Sequence, residues 1–201
     1  MFIFLNGLLL GLSLIMALGP QNLFLIKQGA QKNHAGLSAV VCFICDVILI
    51  CGSIVGLHEL LEKHPSLQIW MLYLGSAFLL YYAYKNLRSA FSKRGSNNQE
   101  PAHSHTRLQI VLFALGFSLL NPHAIIDTVV IVGSGSSQYP DHQIAFMMGV
   151  ICASFIWFCS LTFTTKYFSN VLSKERIWQG IELISGVLMI YIGCKLLLTG
   201  L

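Results

Sequence analysis

The sequence predicts an all-α integral membrane protein, with six transmembrane helices arranged as an inverted three-plus-three repeat. Three observations predict it. Of its 201 residues, 55% are hydrophobic and only 10% are charged, where a soluble domain carries about 25% charged residues. The mean hydropathy is +0.70. The apolar residues fall into six runs, 2–26, 36–57, 67–91, 108–132, 144–168 and 177–201, each with about the 20 residues needed to cross a bilayer.

The first run has no basic residue before Lys27, so it lacks the charged start of a secretory signal and is expected to stay as a helix. Gly19-Pro20-Gln21-Asn22 interrupts it. The second run carries Cys42, Cys45 and Asp46, and the third ends in Tyr81-x-x-x-Lys85. Residues 92–107 have no apolar face to bury and read as a mobile cytoplasmic linker. The fourth run holds the second interruption, Asn121-Pro122-His123-Ala124-Ile125-Ile126-Asp127-Thr128. The fifth is unbroken, and the sixth ends in Tyr191-x-x-x-Lys195. The chain is expected to be one domain, 1–201, with halves 1–91 and 108–201.

Basic residues set the orientation. Ten of the 12 Lys and Arg fall on the links after the first, third and fifth runs. That side is therefore expected to be cytoplasmic, with both termini outside. A five-crossing arrangement with one re-entrant run is the rival, and it breaks this alternation. Three crossings per half is an odd number, so the halves must be inverted. The matched prolines and the two Tyr-x-x-x-Lys ends agree with such a repeat.

The chemistry is expected at the interruptions. A proline inside a helix removes one backbone donor and clashes with the preceding turn. In hydrocarbon the freed groups must find partners, so each break has to face protein or a watery cavity. The half-helix beyond Pro20 or Pro122 presents bare N–H groups and a partial positive end, which favour an anionic group such as a carboxylate. Gln21, Asn22 and Asn121 add amides. Two breaks in matching places point to a binding site, where one alone reads as a packing kink.

Asp46 lies roughly 15 Å into its helix, and Asp127 is deep in the fourth run. An aspartate at a helix centre costs about 2.5–3.5 kcal/mol on insertion scales. Both acids are therefore expected to bind a cation or to carry a proton, against the plainer use of a hydrogen-bonded packing residue. His123 lies four residues before Asp127 and is either a proton partner or a satisfied structural histidine. Lys85 and Lys195 are expected to snorkel, and Glu182 to reach the headgroups. Trp70, Trp157 and Trp178 receive no role. Gly7/Gly11 and Gly52/Gly56 are expected to pack helices closely.

All six cysteines sit in apolar runs, which argues against a disulfide framework. Cys42-x-x-Cys45 beside Asp46 supplies the alternative function, a membrane thiol-redox or metal-handling protein. A buried cysteine more often behaves as a small apolar residue. No phosphate loop, nucleophile motif or nucleic-acid module occurs, so neither an enzyme, a cofactor nor a metal is expected.

With these motifs in place, the sequence resembles the LysE family of bacterial amino-acid exporters over nearly its whole length, most closely its lysine and arginine exporters, with residues 153–158 similar to the arginine-exporter branch. The residues that carry the resemblance are Leu18-Gly19-Pro20-Gln21-Asn22, Gln28-Gly29, Cys42 through Asp46 to Leu49-Ile50, Asn121-Pro122-His123-x-x-x-Asp127-Thr128, Gly133-Ser134 and Ala153 to Phe158. One departure is Cys45, where that branch usually has serine. The resemblance implies secondary active export of basic L-amino acids, arginine or lysine, across the bacterial inner membrane, driven by the proton-motive force. Its partners would be the amino acid, protons and the lipid bilayer, and a homo-oligomer is compatible with it. The expected substrate-binding residues are Pro20, Gln21, Asn22, Asp46, Asn121, Pro122 and Asp127, with Asp46, His123 and Asp127 coupling protons.

Overall fold

A computed structural model describes residues 2–16, 19–55, 63, 65–91, 106–120, 125 and 128–199. Among these residues the regular structure is all helical, with no strand. Most of the expected linker lies outside them.

α1 (Phe2–Ile15) is apolar nearly throughout. The chain then reaches Gly19, whose extended backbone (φ −99°, ψ 175°) suits the residue before a proline. Pro20 opens α2 (Pro20–Ala30) at the first helical position, where its missing N–H costs nothing. The axes of α1 and α2 turn by 79°. The proline expected to break a helix therefore begins a separate one.

α2 ends in a Schellman motif. Lys32 N–H donates to Gly29 O at 3.1 Å and Asn33 N–H to Gln28 O at 3.1 Å. Lys32 has φ 52°, in the left-handed position that glycine usually fills. α3 (Ala35–Val55) and α4 (Pro65–Phe91) follow. α5 (Arg107–Leu119) starts at a capping box: Gln109 N–H donates to Thr106 Oγ1 and Thr106 N–H to Gln109 Oε1. After the second interruption come a π-helical turn, Thr128–Val132, and α6 (Gly133–Ser137). A 3₁₀ turn, Pro140–His142, leads into α7 (Gln143–Tyr167), then α8 (Ser169–Leu172) and α9 (Glu175–Thr199).

Ala35–Ser53, Pro140–Tyr167 and Glu175–Leu198 are long and apolar enough to cross a membrane, and α1 with α2 makes a fourth if the bent pair is one span. α5 and the segment Thr128–Ser137 are shorter apolar helices. The outer surface is apolar as well. Val40, Ile44 and Ile48 form an exposed stripe on α3, and Ile184, Val187 and Tyr191 another on α9. A helix that is apolar on its outward face as well as its inward one is dissolved in lipid.

Three pairings hold the bundle: α1 along α7, α4 along α9, and α3 along α5. The first depends on small residues. A Cβ at Gly7 would meet the Phe146 carbonyl, one at Gly149 the Phe4 carbonyl, and one at Gly11 the Ala153 methyl. The expected Gly7/Gly11 face thus meets its counterpart, Gly149/Ala153, at the same four-residue spacing. In the second pairing Gly186 receives Leu87 and Gly193 receives Leu80. The centre is aromatic: Phe117 stands 5.1 Å from Phe24, 4.7 Å from Tyr82 and 4.9 Å from Phe78, between ring centroids.

The basic links converge at one end. A Cβ at Gly29 would strike Thr165, Ser173 Oγ donates to Ala30 O at 3.3 Å, and Lys27 meets α4 and α9. At the other end Asn6 Nδ2 donates to Tyr139 Oη at 3.0 Å. Tyr81 and Tyr191, the matched tyrosines, both point outward.

Candidate functional site

Asp46 lies in the middle of α3. Its Oδ1 accepts from Gln21 Nε2 at 3.4 Å and its Oδ2 from Ser154 Oγ at 3.3 Å. The carboxylate is therefore held between the first turn of α2 and the middle of α7. Charge-assisted bonds to a carboxylate are usually shorter, about 2.5–2.9 Å, so both donors hold it loosely. Among the described residues no Lys, Arg or His side chain pairs with it. A carboxylate has about four lone-pair directions, which leaves acceptor capacity for a cation or a proton.

The break itself faces inward. Pro20 is fully buried, as a break must be when lipid cannot satisfy its backbone. Asn22 is also buried. Its Nδ2 donates to Ile15 O at 2.8 Å, and its Oδ1 accepts from Trp157 Nε1 at 3.1 Å. Ile15 is the last residue of α1, whose terminal carbonyls have no partner within the helix. Asn22 thus caps α1 across the break and ties the junction to α7.

Of the expected site residues, Pro20, Gln21, Asn22 and Asp46 come together here. Asn121, Pro122, His123 and Asp127 lie outside the described residues. Ile125, within that second stretch, packs with Val129 against Leu49, three residues on from Asp46. The described part of the second interruption therefore sits beside the same length of α3.

Sequence reasoning missed Ser154 and Trp157. Both lie on α7 in the Ala153 to Phe158 segment, three residues apart and on one face; a serine and an indole at that spacing in an apolar helix was the available signal. It also misplaced Glu182. That residue does not reach the headgroups: it is 6% exposed and sits 3.9 Å from Lys27 Nζ. A helix inside a bundle turns one side to its neighbours, and Glu182 is on that side of α9. Trp178 is likewise buried, at 6% exposure. Lys85 is exposed.

The six cysteines are all free, with Cys42 and Cys45 buried. Among the described residues no group of three or more His, Cys, Asp or Glu could hold a metal. Thiol or metal chemistry is not favoured.

A lipid-exposed helical bundle with a broken helix and an acid held beside the break defines a membrane transport protein in class. The comparisons give the family. The model of the LysE type translocator matches residues 12–200. The chain is 33% identical to a protein of Corynebacterium diphtheriae named lysine exporter LysE, over 98% of this chain and 100% of that one. It is 35% identical to a protein of Yersinia enterocolitica named arginine exporter protein ArgO, over 99% and 98%. A Serratia proteamaculans protein of the same name is 33% identical, over 98% and 97%. No solved structure matches. The chain belongs to the LysE family, whose members are transporters.

Proposed function

We propose that this protein is a secondary active exporter of basic L-amino acids, arginine and lysine, across the bacterial inner membrane, coupled to the proton-motive force. The observation that carries the reading is Asp46: an acid in the middle of an apolar helix, beside the break at Pro20, loosely held by an amide and a hydroxyl. Such a group meets the cationic end of a basic amino acid or a coupled proton. The amide-lined break favours the carboxylate end. Asn121, Pro122 and Asp127 complete the binding site in this reading, and His123 relays protons with the two acids. The printed names of the relatives, lysine and arginine exporters, support the cargo class.

In the same reading the chain crosses six times as an inverted repeat, with the linker cytoplasmic. The helix pairings support it. α1 pairs with α7, α3 with α5 and α4 with α9. Exchanging first, second and third helices between halves turns this set into itself, as a two-fold relation requires. The gathering of the basic links at one end supports the orientation.

Counterflow in proteoliposomes over lysine, arginine, ornithine and neutral amino acids tests the proposal. Exchange of the cationic amino acids above the neutral ones is expected, and dependent on a proton gradient in net efflux. Equal exchange of all, or none of any, overturns it. In cells, loss of the protein should raise sensitivity to canavanine, a toxic arginine analogue.

A further inference from the structure

Lys27 does not behave as a loop lysine. Its ammonium donates to Asn86 Oδ1 on α4 at 2.7 Å, stands 3.9 Å from Glu182 Oε1 on α9, and lies 5.8 Å from the ring centroid of Trp178. Asn86, Glu182 and Trp178 are all buried. Asn86 Nδ2 donates to Met189 Sδ at 3.5 Å, which turns the amide oxygen toward the ammonium. A neutral acceptor, a carboxylate and an aromatic face therefore surround one cation. The cage belongs to α4 and α9, and α2 inserts the cation from outside it. The 3.9 Å gap is beyond a direct charge-assisted bond, so the Glu182 carboxylate keeps acceptor capacity.

Trp178 is also a wall of a cavity of about 330 Å³ at the end of the bundle that gathers the basic links. Lys32, Ser169 and Asn170 line it too. The volume lies at the lower end of the range for small-molecule sites. Ser169 is 3% exposed, and its hydroxyl has no hydrogen-bond partner among the described residues. A buried hydroxyl without a partner is expensive unless something else satisfies it.

We propose that the cavity and the cage together form a loading site for a basic amino acid, with Lys27 holding the place of the cargo's cationic side chain. This rests on the exporter reading above. The cargo's carboxylate lies among Lys32, Ser169 and Asn170. Its cationic end passes Trp178 to Glu182 and Asn86 as Lys27 withdraws. The exchange replaces one positive charge by another, so Glu182 is never left buried and unpaired. α2 carries Lys27 in this cage and Gln21 on Asp46, six residues or roughly 9 Å apart along the helix. Withdrawal of Lys27 thus acts on the helix that also holds the central acid.

The test compares full-length wild type, Glu182→Gln and Lys27→Met in proteoliposomes, using L-arginine and its neutral isostere L-citrulline. Glu182→Gln should raise the arginine KM at least tenfold and leave the citrulline KM unchanged. Lys27→Met, which removes the internal competitor, should lower the arginine KM several-fold. Opposite signs are expected only of a competitor and its acceptor; damaged packing moves both variants the same way. If Lys27→Met fails to accumulate, the doubly neutral variant Lys27→Met with Glu182→Gln decides. Its arginine KM should match that of Glu182→Gln, and a wild-type KM overturns the proposal. An active wild type with the same KM in both single variants overturns the loading site alone. A wild type that moves no cationic amino acid overturns the exporter reading, and the loading site with it.

Discussion

Gln21, just past the break between α1 and α2, donates to Asp46 on α3 at 3.4 Å, while Ser154 holds the other carboxylate oxygen from α7 at 3.3 Å. A residue just past a helix break thus touches an acid in the middle of the next helix, and a third helix closes the contact. The length and softness of both bonds make the carboxylate a group waiting for a partner.

Asp46→Asn should therefore reduce arginine efflux at least tenfold while the protein still inserts. The amide keeps the shape and its one oxygen still accepts from one of the two donors, but it carries neither a charge nor a transferable proton. Efflux from cells and immunoblots of their membranes measure the two quantities separately. Normal efflux would remove Asp46 from the mechanism.

Trp157→Phe keeps an aromatic ring and removes the donor to Asn22. A lost hydrogen bond of this kind costs about 1 kcal/mol. In a chain of this size that lowers Tm by about 2–4 °C. Thermal unfolding in detergent reads the shift, and an unchanged Tm would mean that the indole bond does not hold the junction.

The glycines of the α1–α7 pairing give a matched pair of expectations. In Gly149→Ala the new methyl meets the Phe4 carbonyl, a backbone atom that cannot turn away. The overpacking should cost about 1–3 kcal/mol. Gly180 in α9 has nothing within 4 Å of a Cβ. Gly180→Ala should stabilise by about 0.5–1 kcal/mol through helix propensity. Tm values of the two variants should move in opposite directions.

Cys42→Ala with Cys45→Ala should retain most of the efflux. Both thiols are free and buried, and the change removes only a small apolar volume from each site. Complete loss of activity in correctly inserted protein would return thiol chemistry to consideration.

Lys32→Gly should stabilise the protein by about 1 kcal/mol. Lys32 holds φ 52° at the end of α2, and the left-handed region costs a residue with a Cβ roughly 1–2 kcal/mol. Chemical denaturation checks the sign. A destabilised variant would show that the lysine side chain contributes more than its backbone costs.

The sequence by itself determined the class, the break at Pro20 and the depth of Asp46. Lipid offers no hydrogen bonds, so apolar runs, a proline among them and an acid within them each have few permitted meanings, and each meaning is local. It did not determine what those groups touch. Ser154, Trp157, Asn86 and Glu182 are ordinary polar residues on long helices. Which of them turns toward Asp46 or Lys27 depends on how α7, α4 and α9 are rotated. That rotation is decided by glycine contacts between helices far apart in the chain, such as Gly7 with Phe146 and Gly186 with Leu87. Lys27 shows the difference most plainly: in the sequence it is one of several lysines near a link, and only the approach of α4 and α9 places its charge inside the protein.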